Sequence, residues 1–447
     1  MESKALFEKT PPGKLFFMAA LPGSIGMLAS ALYQFLEGIF VGKFLGDTAF
    51  AALNLAMPFV IINFALADLI GVGSAVPISI SLGRKDNKAA NNYFTCACIM
   101  VVATGIAIGA FLYAFAPAIM RLMGATGEFA SMAVEYLRVY AIFSPITTIV
   151  FAMDNYLRIC GKIRISMYLN VFMAALTVIL GFIFLGVLKL GIWSMAFASC
   201  IGMSAGVILS IIPFLRKKLI LSYVKPQFSL KLIKKIVVCG SPNFLNNIAG
   251  RITSIIINRI LVYFNGEAAV SVYGILMYAE GFVQPLLYGM CDSLQPAVGY
   301  NWGARNYKRV NKIEKYCFSA SALISFAAAI IIFLFPLQLA KLFSGNGNEQ
   351  LLNMAVLALK IFSFTFITRW FSFATQSYML AIGKSIKATV LSVSFAFFFP
   401  LLLLAALWSM GLDGVWLNFP ITSLLTALEA FVILIIFKKE KKKSNNK

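Results

Sequence analysis

Read only as apolar and polar positions, the 447-residue chain alternates long oily runs with short charged breaks from about residue 15 to residue 437. Twelve runs are long enough to cross a bilayer, which needs about 20 predominantly apolar residues. They lie near 15–40, 50–78, 93–119, 133–155, 165–187, 191–212, 236–262, 269–298, 316–340, 354–380, 387–408 and 412–437. Stretches such as LISFAAAIIIFLFPL and FVILIIF do not alternate with period two, so they predict helices and not the strands of a membrane barrel. The pattern gives an all-α polytopic membrane protein of twelve transmembrane helices. MESKALFEKTPPGK precedes the first run and no cleavage-site pattern follows that run, which is therefore expected to remain as the first helix.

The chain also repeats itself. Shifted by 220 residues, Pro22 meets Pro242, Gly46 meets Gly266, Asp47 meets Glu267, and GRKDNKAAN at 83–91 superposes on GARNYKRVN at 303–311. With small insertions Tyr156 pairs with Tyr378, Gly161–Lys162 with Gly383–Lys384, and GIW at 191 with GVW at 414. The expected organisation is a six-helix bundle over 1–212, a linker on the cytoplasmic side over 213–235, a second six-helix bundle over 236–437, and a basic cytoplasmic tail over 438–447. Duplication in one orientation implies pseudo-two-fold symmetry about the membrane normal. Two such bundles around a central cavity suit alternating access, which makes transport the expected activity.

Composition agrees with lipid as the solvent: 60% of residues are hydrophobic, 12% are charged, and the mean hydropathy is +0.87. A formal net charge of +21 would suggest nucleic acid in a soluble protein. Here Lys and Arg crowd into alternate loops, at 84–88, 158–164, 216–235, 305–315 and 384–387, and into both termini. That is the positive-inside pattern with both termini cytoplasmic, and no nucleic-acid partner is implied. In the segment LQPAVGYNWGARNYKRV at 294–310, Gly299 and Gly303 suit a tight turn, Tyr300 and Trp302 a membrane interface, and Arg305, Lys308 and Arg309 anionic headgroups. The seven cysteines lie in or beside apolar runs and there is no histidine, so they read as small buried hydrophobes with no metal or disulfide. No G-x-x-x-x-G-K-[ST] and no nucleophile–base arrangement occurs, which argues against an ATP motor and against an enzyme. No filter-like repeat suggests an ion channel.

QPAVGYNWGARNYKRV, its partner SLGRKDNKAAN and the first-helix segment ALYQFLEGIFVGKFLG resemble the multidrug and toxic compound extrusion (MATE) family, in its bacterial multidrug-export branch. The resemblance spans essentially the whole chain. It implies a monomeric antiporter in the bacterial cytoplasmic (inner) membrane, in contact with membrane lipids, that needs no cofactor. Such a protein exports small amphipathic organic cations in exchange for a coupling ion, the proton being preferred and sodium the alternative. The wider superfamily also contains exporters of lipid-linked sugars, so a flippase for amphipathic lipids is the alternative.

Ionisable groups inside spans are costly and functional by default. Glu37 in LYQFLEGIFVG stands where related proteins usually carry an aspartate, with Gln34 and Tyr33 near the same face to orient it. Asp68 in NFALADLIGVG is a second ion-coupling candidate. The family often has an NxxLD segment in the fifth span; the corresponding TVILG offers Thr177 and Gly181, and the acid is missing. For cargo, Glu280 in MYAEGFVQP is the first candidate and Asp292 the second. Met277, Tyr273, Tyr288, Phe151 and Met153 are the candidate cavity wall, since ring faces and thioethers hold flat cations of several shapes. Pro22 and Pro242 serve either to bend the first helix of each bundle or simply to begin it. Arg251, Arg259 and Arg369 add positive charge within spans, with partners left open.

Overall fold

In a computed structural model that describes residues 5–344 and 349–445, every regular element is helical. Residues 1–4 and 446–447, which belong to the expected cytoplasmic N-terminus and basic tail, lie outside the described residues, as do 345–348. The first half supplies α1 (Pro12–Leu45), α2 (Asp47–Gly83), α3 (Asn87–Leu122), α4 (Gly127–Ile159), α5 (Ile163–Val187) and α6 (Trp193–Leu215). In the second half, α7 (230–264) and α8 (267–303) are parted only by the non-helical Asn265 and Gly266. They are followed by α9 (Tyr307–Leu334), then α10, made of Glu349–Ser363 and Thr365–Ala381 with a bend of 44°, then α11 (Ser385–Ala406) and α12 (Trp408–Lys441).

Twelve spans are thus present among the described residues, as the apolar runs predict. Several helices outrun their apolar cores, because backbone hydrogen bonding continues after the side chains turn polar; α2 reaches 37 residues. The ninth run, expected to continue to 340, stops at Leu334, and Pro336 opens a short helix to Ser344. A proline without an N–H fits the first position of a helix and not its middle.

The backbone repeats along with the sequence. Gly46 and Gly266 both take positive φ (85° and 62°), Gly161 and Gly383 share φ 75°, and Lys85 and Arg305 share the left-handed region (63° and 58°). At the α2 end and the α8 end the left-handed residue is therefore a basic one, and Gly83 and Gly303 remain helical. These glycines serve close approach and not the turn. A Cβ on Gly83 would stand 1.9 Å from the Tyr300 carbonyl oxygen, and one on Gly303 would stand 2.1 Å from that of Ile80. Gly73 and Gly240 do the same against Ile236 (2.2 Å) and Leu69 (1.8 Å).

Two compact units result. The first comprises Met1–Gly240 with Gly299–Tyr307, the second Ser241–Val298 with Lys308–Lys447. The glycine contacts explain why the start of α7 and the last turn of α8 group with the first unit. Tyr300 and Asn301 are also packed there, not placed as interface anchors. Tyr300 is 3% exposed and its hydroxyl donates to Glu8 Oε1 at 2.8 Å, while Asn301 Nδ2 donates to the Phe7 carbonyl at 3.1 Å. Together they hold the short helical turn Ala5–Lys9.

Each unit has its own apolar core. That of the first gathers Tyr136, Leu137 and Tyr140 of α4 with residues of α1, α2, α3 and α6. That of the second gathers Phe362, Phe366 and Trp416 with residues of α7, α8 and α9. All seven cysteines are buried and outside any disulfide, with the Cys291 and Cys317 sulfurs 3.5 Å apart.

Candidate functional site

Glu37 lies in the seventh turn of α1, 1% exposed, inside the first unit. Burying a carboxylate in a low-dielectric core is expensive unless it is paired, hydrogen-bonded or able to take up a cation. One oxygen is accounted for: the Tyr136 hydroxyl of α4 donates to Oε1 at 2.6 Å. The other, Oε2, accepts no hydrogen bond among the described residues, and neither does the Oγ of Ser199, which lies beside the carboxylate. Tyr136 packs at 5.3 Å against Tyr140, whose ring lies 6.0 Å from Phe64. The result is a sheltered acid with one oxygen fixed by Tyr136 and the Ser199 hydroxyl close by. Such a pair can share a proton or ligate a small cation.

The neighbours differ in part from those expected. Tyr33 is close to Glu37, but Gln34 is exposed and sits beside Tyr33, so the group that orients the carboxylate is Tyr136. Tyr136 and Tyr140, four residues apart on one face of α4, were the available signal, although pattern alone does not tell which helix they meet. At the fifth-span position where the acid is missing, a Cβ on Gly181 would stand 2.8 Å from the Met195 sulfur, near the end of a flexible side chain.

Asp68 belongs to a different cluster. It is half-buried near Asp154 and Arg158. Arg158 pairs with Asp154 at 2.6 Å, and Asp154 Oδ1 accepts from Ser166 and, at 2.8 Å, from Asn170 Nδ2. The structure does not bring Asp68 and Glu37 into one site.

In the second unit, Glu280 of α8 is not a free acid. Its carboxylate meets the Arg369 guanidinium of α10 at 2.6 Å, and that guanidinium lies 4.6 Å from the centre of the Phe395 ring. Tyr288, two helical turns further along α8, lies beside this pair and stacks on Phe373 at 3.9 Å. A cavity next to Arg369, lined also by Asn246, Tyr288, Gln376 and Phe395, measures about 10 Å³, room for about one water. A cation can reach Glu280 only in competition with Arg369. Asp292 is held by Gln295 Nε2 at 2.8 Å, which also donates to Ser377 at 3.0 Å.

Three of the expected wall residues pack in or against the apolar cores. Met153 is fully buried, Tyr273 is 6% exposed with its hydroxyl on Ser254 at 3.0 Å, and Met277 packs against the core of the second unit. They pack because their helix faces turn inward within a bundle, which apolar periodicity does not distinguish from a face lining a cavity. Phe151 packs on Phe64 at 5.0 Å. Pro22 and Pro242 are buried well inside helices that begin at Pro12 and Leu230, so neither serves as a helix start. Arg251 and Arg259 are exposed and form none of the ion pairs among the described residues.

Comparison with known proteins adds an independent line. The family model described as MatE matches residues 22–183 and 242–407. Multidrug export protein MepA of Staphylococcus aureus (strain MSSA476) is 27% identical over 438 residues, covering 97% of this chain and 95% of the relative. The MepA of Staphylococcus saprophyticus is 26% identical over 437 residues, with the same coverage. Among solved structures, one described as the outward-facing conformation of a multidrug resistance MATE family transporter of the MOP superfamily superposes with TM-score 0.93 at 23% identity, covering 99% of each chain. A MOP superfamily transporter from Pyrococcus furiosus, described as having a binding pocket of reverse polarity that suggests a different function, superposes with TM-score 0.90 at 24% identity over 97% of each chain.

Proposed function

Since the chain belongs to the MatE family, we propose that it is an ion-coupled antiporter that exports amphipathic, cationic compounds across the bacterial cytoplasmic membrane by alternating access. In this reading it works as a monomer with both termini in the cytoplasm. The observation that carries the proposal is Glu37, a carboxylate enclosed in the first unit with Tyr136 on one oxygen and an unpartnered second oxygen beside Ser199. An enclosed acid binds a cation more tightly when another cation is absent, and that linkage is what couples ion entry to cargo exit.

The proton is the preferred coupling ion. Sodium needs several oxygen ligands, and the fifth span offers Thr177 and Gly181 where a second carboxylate is expected. Pro22, buried within α1, supports the idea that this helix rearranges when Glu37 changes charge, since its missing N–H leaves the ladder one bond short. In the second unit the Glu280–Arg369 pair is the cargo-facing candidate, with Tyr288 beside it, and Asp292, held by Gln295, is the second acid. Cationic cargo displaces Arg369 from Glu280.

The alternative, export of a lipid-linked or otherwise anionic amphiphile, draws support from the same pair: Arg369 neutralises Glu280 while Arg251 and Arg259 add positive charge to the same unit. Proteoliposomes with an imposed proton or sodium gradient test both readings. Ethidium-type cation flux driven by a proton gradient and lost in Glu37→Gln, with the variant eluting as folded protein, is the expected result. Flux driven by neither gradient overturns the antiporter reading, and gradient-independent transfer of a labelled lipid-linked sugar establishes the alternative.

A further inference from the structure

The internal repeat allows one place in the fold to be compared with its own copy. In the first unit, Phe94 of α3 is fully buried and meets Tyr156 at 5.0 Å and Phe214 at 5.2 Å. The chain that leaves α6 folds back over this cluster, placing Tyr223 at 4.8 Å from Phe94. The Ser222 N–H donates to Asn91 Oδ1 at 3.0 Å and the Val224 N–H to Thr95 Oγ1 at 3.1 Å, which fixes the covering strand of chain in place. Aromatic packing and three covering residues close the site completely.

By the sequence registers already described, the second-unit counterparts of Asn91, Phe94, Tyr156 and Phe214 are Asn311, Glu314, Tyr378 and Phe437. The aromatic pair survives, with Tyr378 and Phe437 edge to face at 6.0 Å. The third ring has become a carboxylate. Among the described residues the covering segment has no equivalent either, because α12 continues as helix through Asn445 where the chain after α6 turns back. What was a filled core in one copy is a cavity of about 430 Å³ in the other, bounded by Glu314, Tyr378 and Phe437 together with Phe318, Lys438 and Lys441. That volume falls within the range of small-molecule sites.

The chemistry of this cavity is unlike that of either acid cluster above. Glu314 takes part in none of the ion pairs among the described residues. It shares the cavity with two ammonium groups and an aromatic wall. A ligand that satisfies every part carries a cation for Glu314, an anion for Lys438 and Lys441, and a hydrocarbon body for the rings. The cavity also lies at helix ends, beside the basic end of α12, where a bilayer presents its headgroups. A free organic cation answers the carboxylate but is repelled by both lysines, and an anionic lipid answers the lysines but not the carboxylate.

We propose that this cavity is a binding site for a phospholipid whose headgroup bears both an ammonium and a phosphate, the ammonium on Glu314, the phosphate on Lys438 and Lys441, and the start of an acyl chain against Tyr378, Phe318 and Phe437. Native mass spectrometry of the full-length, delipidated protein, titrated with phosphatidylethanolamine or phosphatidylglycerol, tests it. Wild type is expected to retain phosphatidylethanolamine at least ten-fold more tightly. Glu314→Gln removes the preference, and Lys438→Ala combined with Lys441→Ala weakens both lipids. Glu314→Phe, which restores the residue of the first copy, abolishes retention of both. Equal retention of the two lipids by wild type, or an unchanged preference in Glu314→Gln, overturns the proposal. So does displacement of phosphatidylethanolamine by tetraphenylphosphonium in wild type but not in Glu314→Gln, which identifies a cation site in its place.

Discussion

The Glu280–Arg369 pair gives the sharpest test of how the second unit is held together. Glu280→Gln keeps the side-chain volume and removes the charge, so the consequence falls on Arg369. That guanidinium is 6% exposed and 2.6 Å from the carboxylate, which makes it a buried charge with one ionic partner among the described residues. Removing one member of a buried ion pair costs about 3–5 kcal/mol, because the remaining charge stays desolvated. The ring face of Phe395, 4.6 Å away, is present before and after the substitution and cancels from the difference. The expected destabilisation is therefore about 3–5 kcal/mol, a large fraction of a typical net stability of roughly 5–15 kcal/mol. Arg369→Gln strands Glu280 and costs a similar amount. The double variant leaves two neutral amides and no stranded charge, so its loss should be well below the sum of the two single losses. Unfolding in detergent micelles, followed by tryptophan fluorescence, measures all four proteins in one cycle. If the single effects add to the double effect within about 0.5 kcal/mol, the two residues act independently and the pairing argument is refuted.

Two further substitutions probe the first unit. Tyr136→Phe removes the donor on Glu37 Oε1 without changing the packing of the ring, and the loss of a hydrogen bond to a charged group should lower stability by about 1.5–3 kcal/mol; gradient-driven flux in proteoliposomes should fall with it, and unchanged flux would remove Tyr136 from the site. Gly83→Ala places a methyl 1.9 Å from the Tyr300 carbonyl oxygen, so the helices must separate at a cost of about 1–3 kcal/mol; an unfolding midpoint equal to that of the unaltered protein would contradict the close approach.

The residues that could be read from sequence were those whose role depends on their own helix. Glu37 announced itself as an acid in an apolar run, and the structure places it in a sheltered pocket. The tyrosine that holds it comes from α4, about a hundred residues away, and nothing local marks Tyr136 as its partner. Glu280 was equally visible, but its pairing with Arg369 was not, and the pairing changes what the acid can do. Met153 and Tyr273 show the converse, since an apolar side chain looks the same in sequence whether it faces a core or a cavity, and both are buried here. Glu314 lies in α9 among lysines, and nothing in its own stretch of sequence sets it apart; only the packing of its counterpart, Phe94, against Tyr223 does.

Solvent matching and covalent order are properties of the chain itself. Apolar runs of bilayer length must become helices because lipid offers backbone groups no other partner, and duplicated runs must become duplicated helices. The twelve spans and their internal repeat follow from that, and the family from the particular segments, QPAVGYNWGARNYKRV and its partner among them, that carry the likeness. Side-chain partnership is a property of space. Which oxygen of Glu37 is held, which arginine neutralises Glu280, and why Gly83 and Gly303 must lack side chains all depend on helices brought together from distant parts of the sequence. Those approaches are set by close packing over many residues at once, and no single stretch of the sequence contains them.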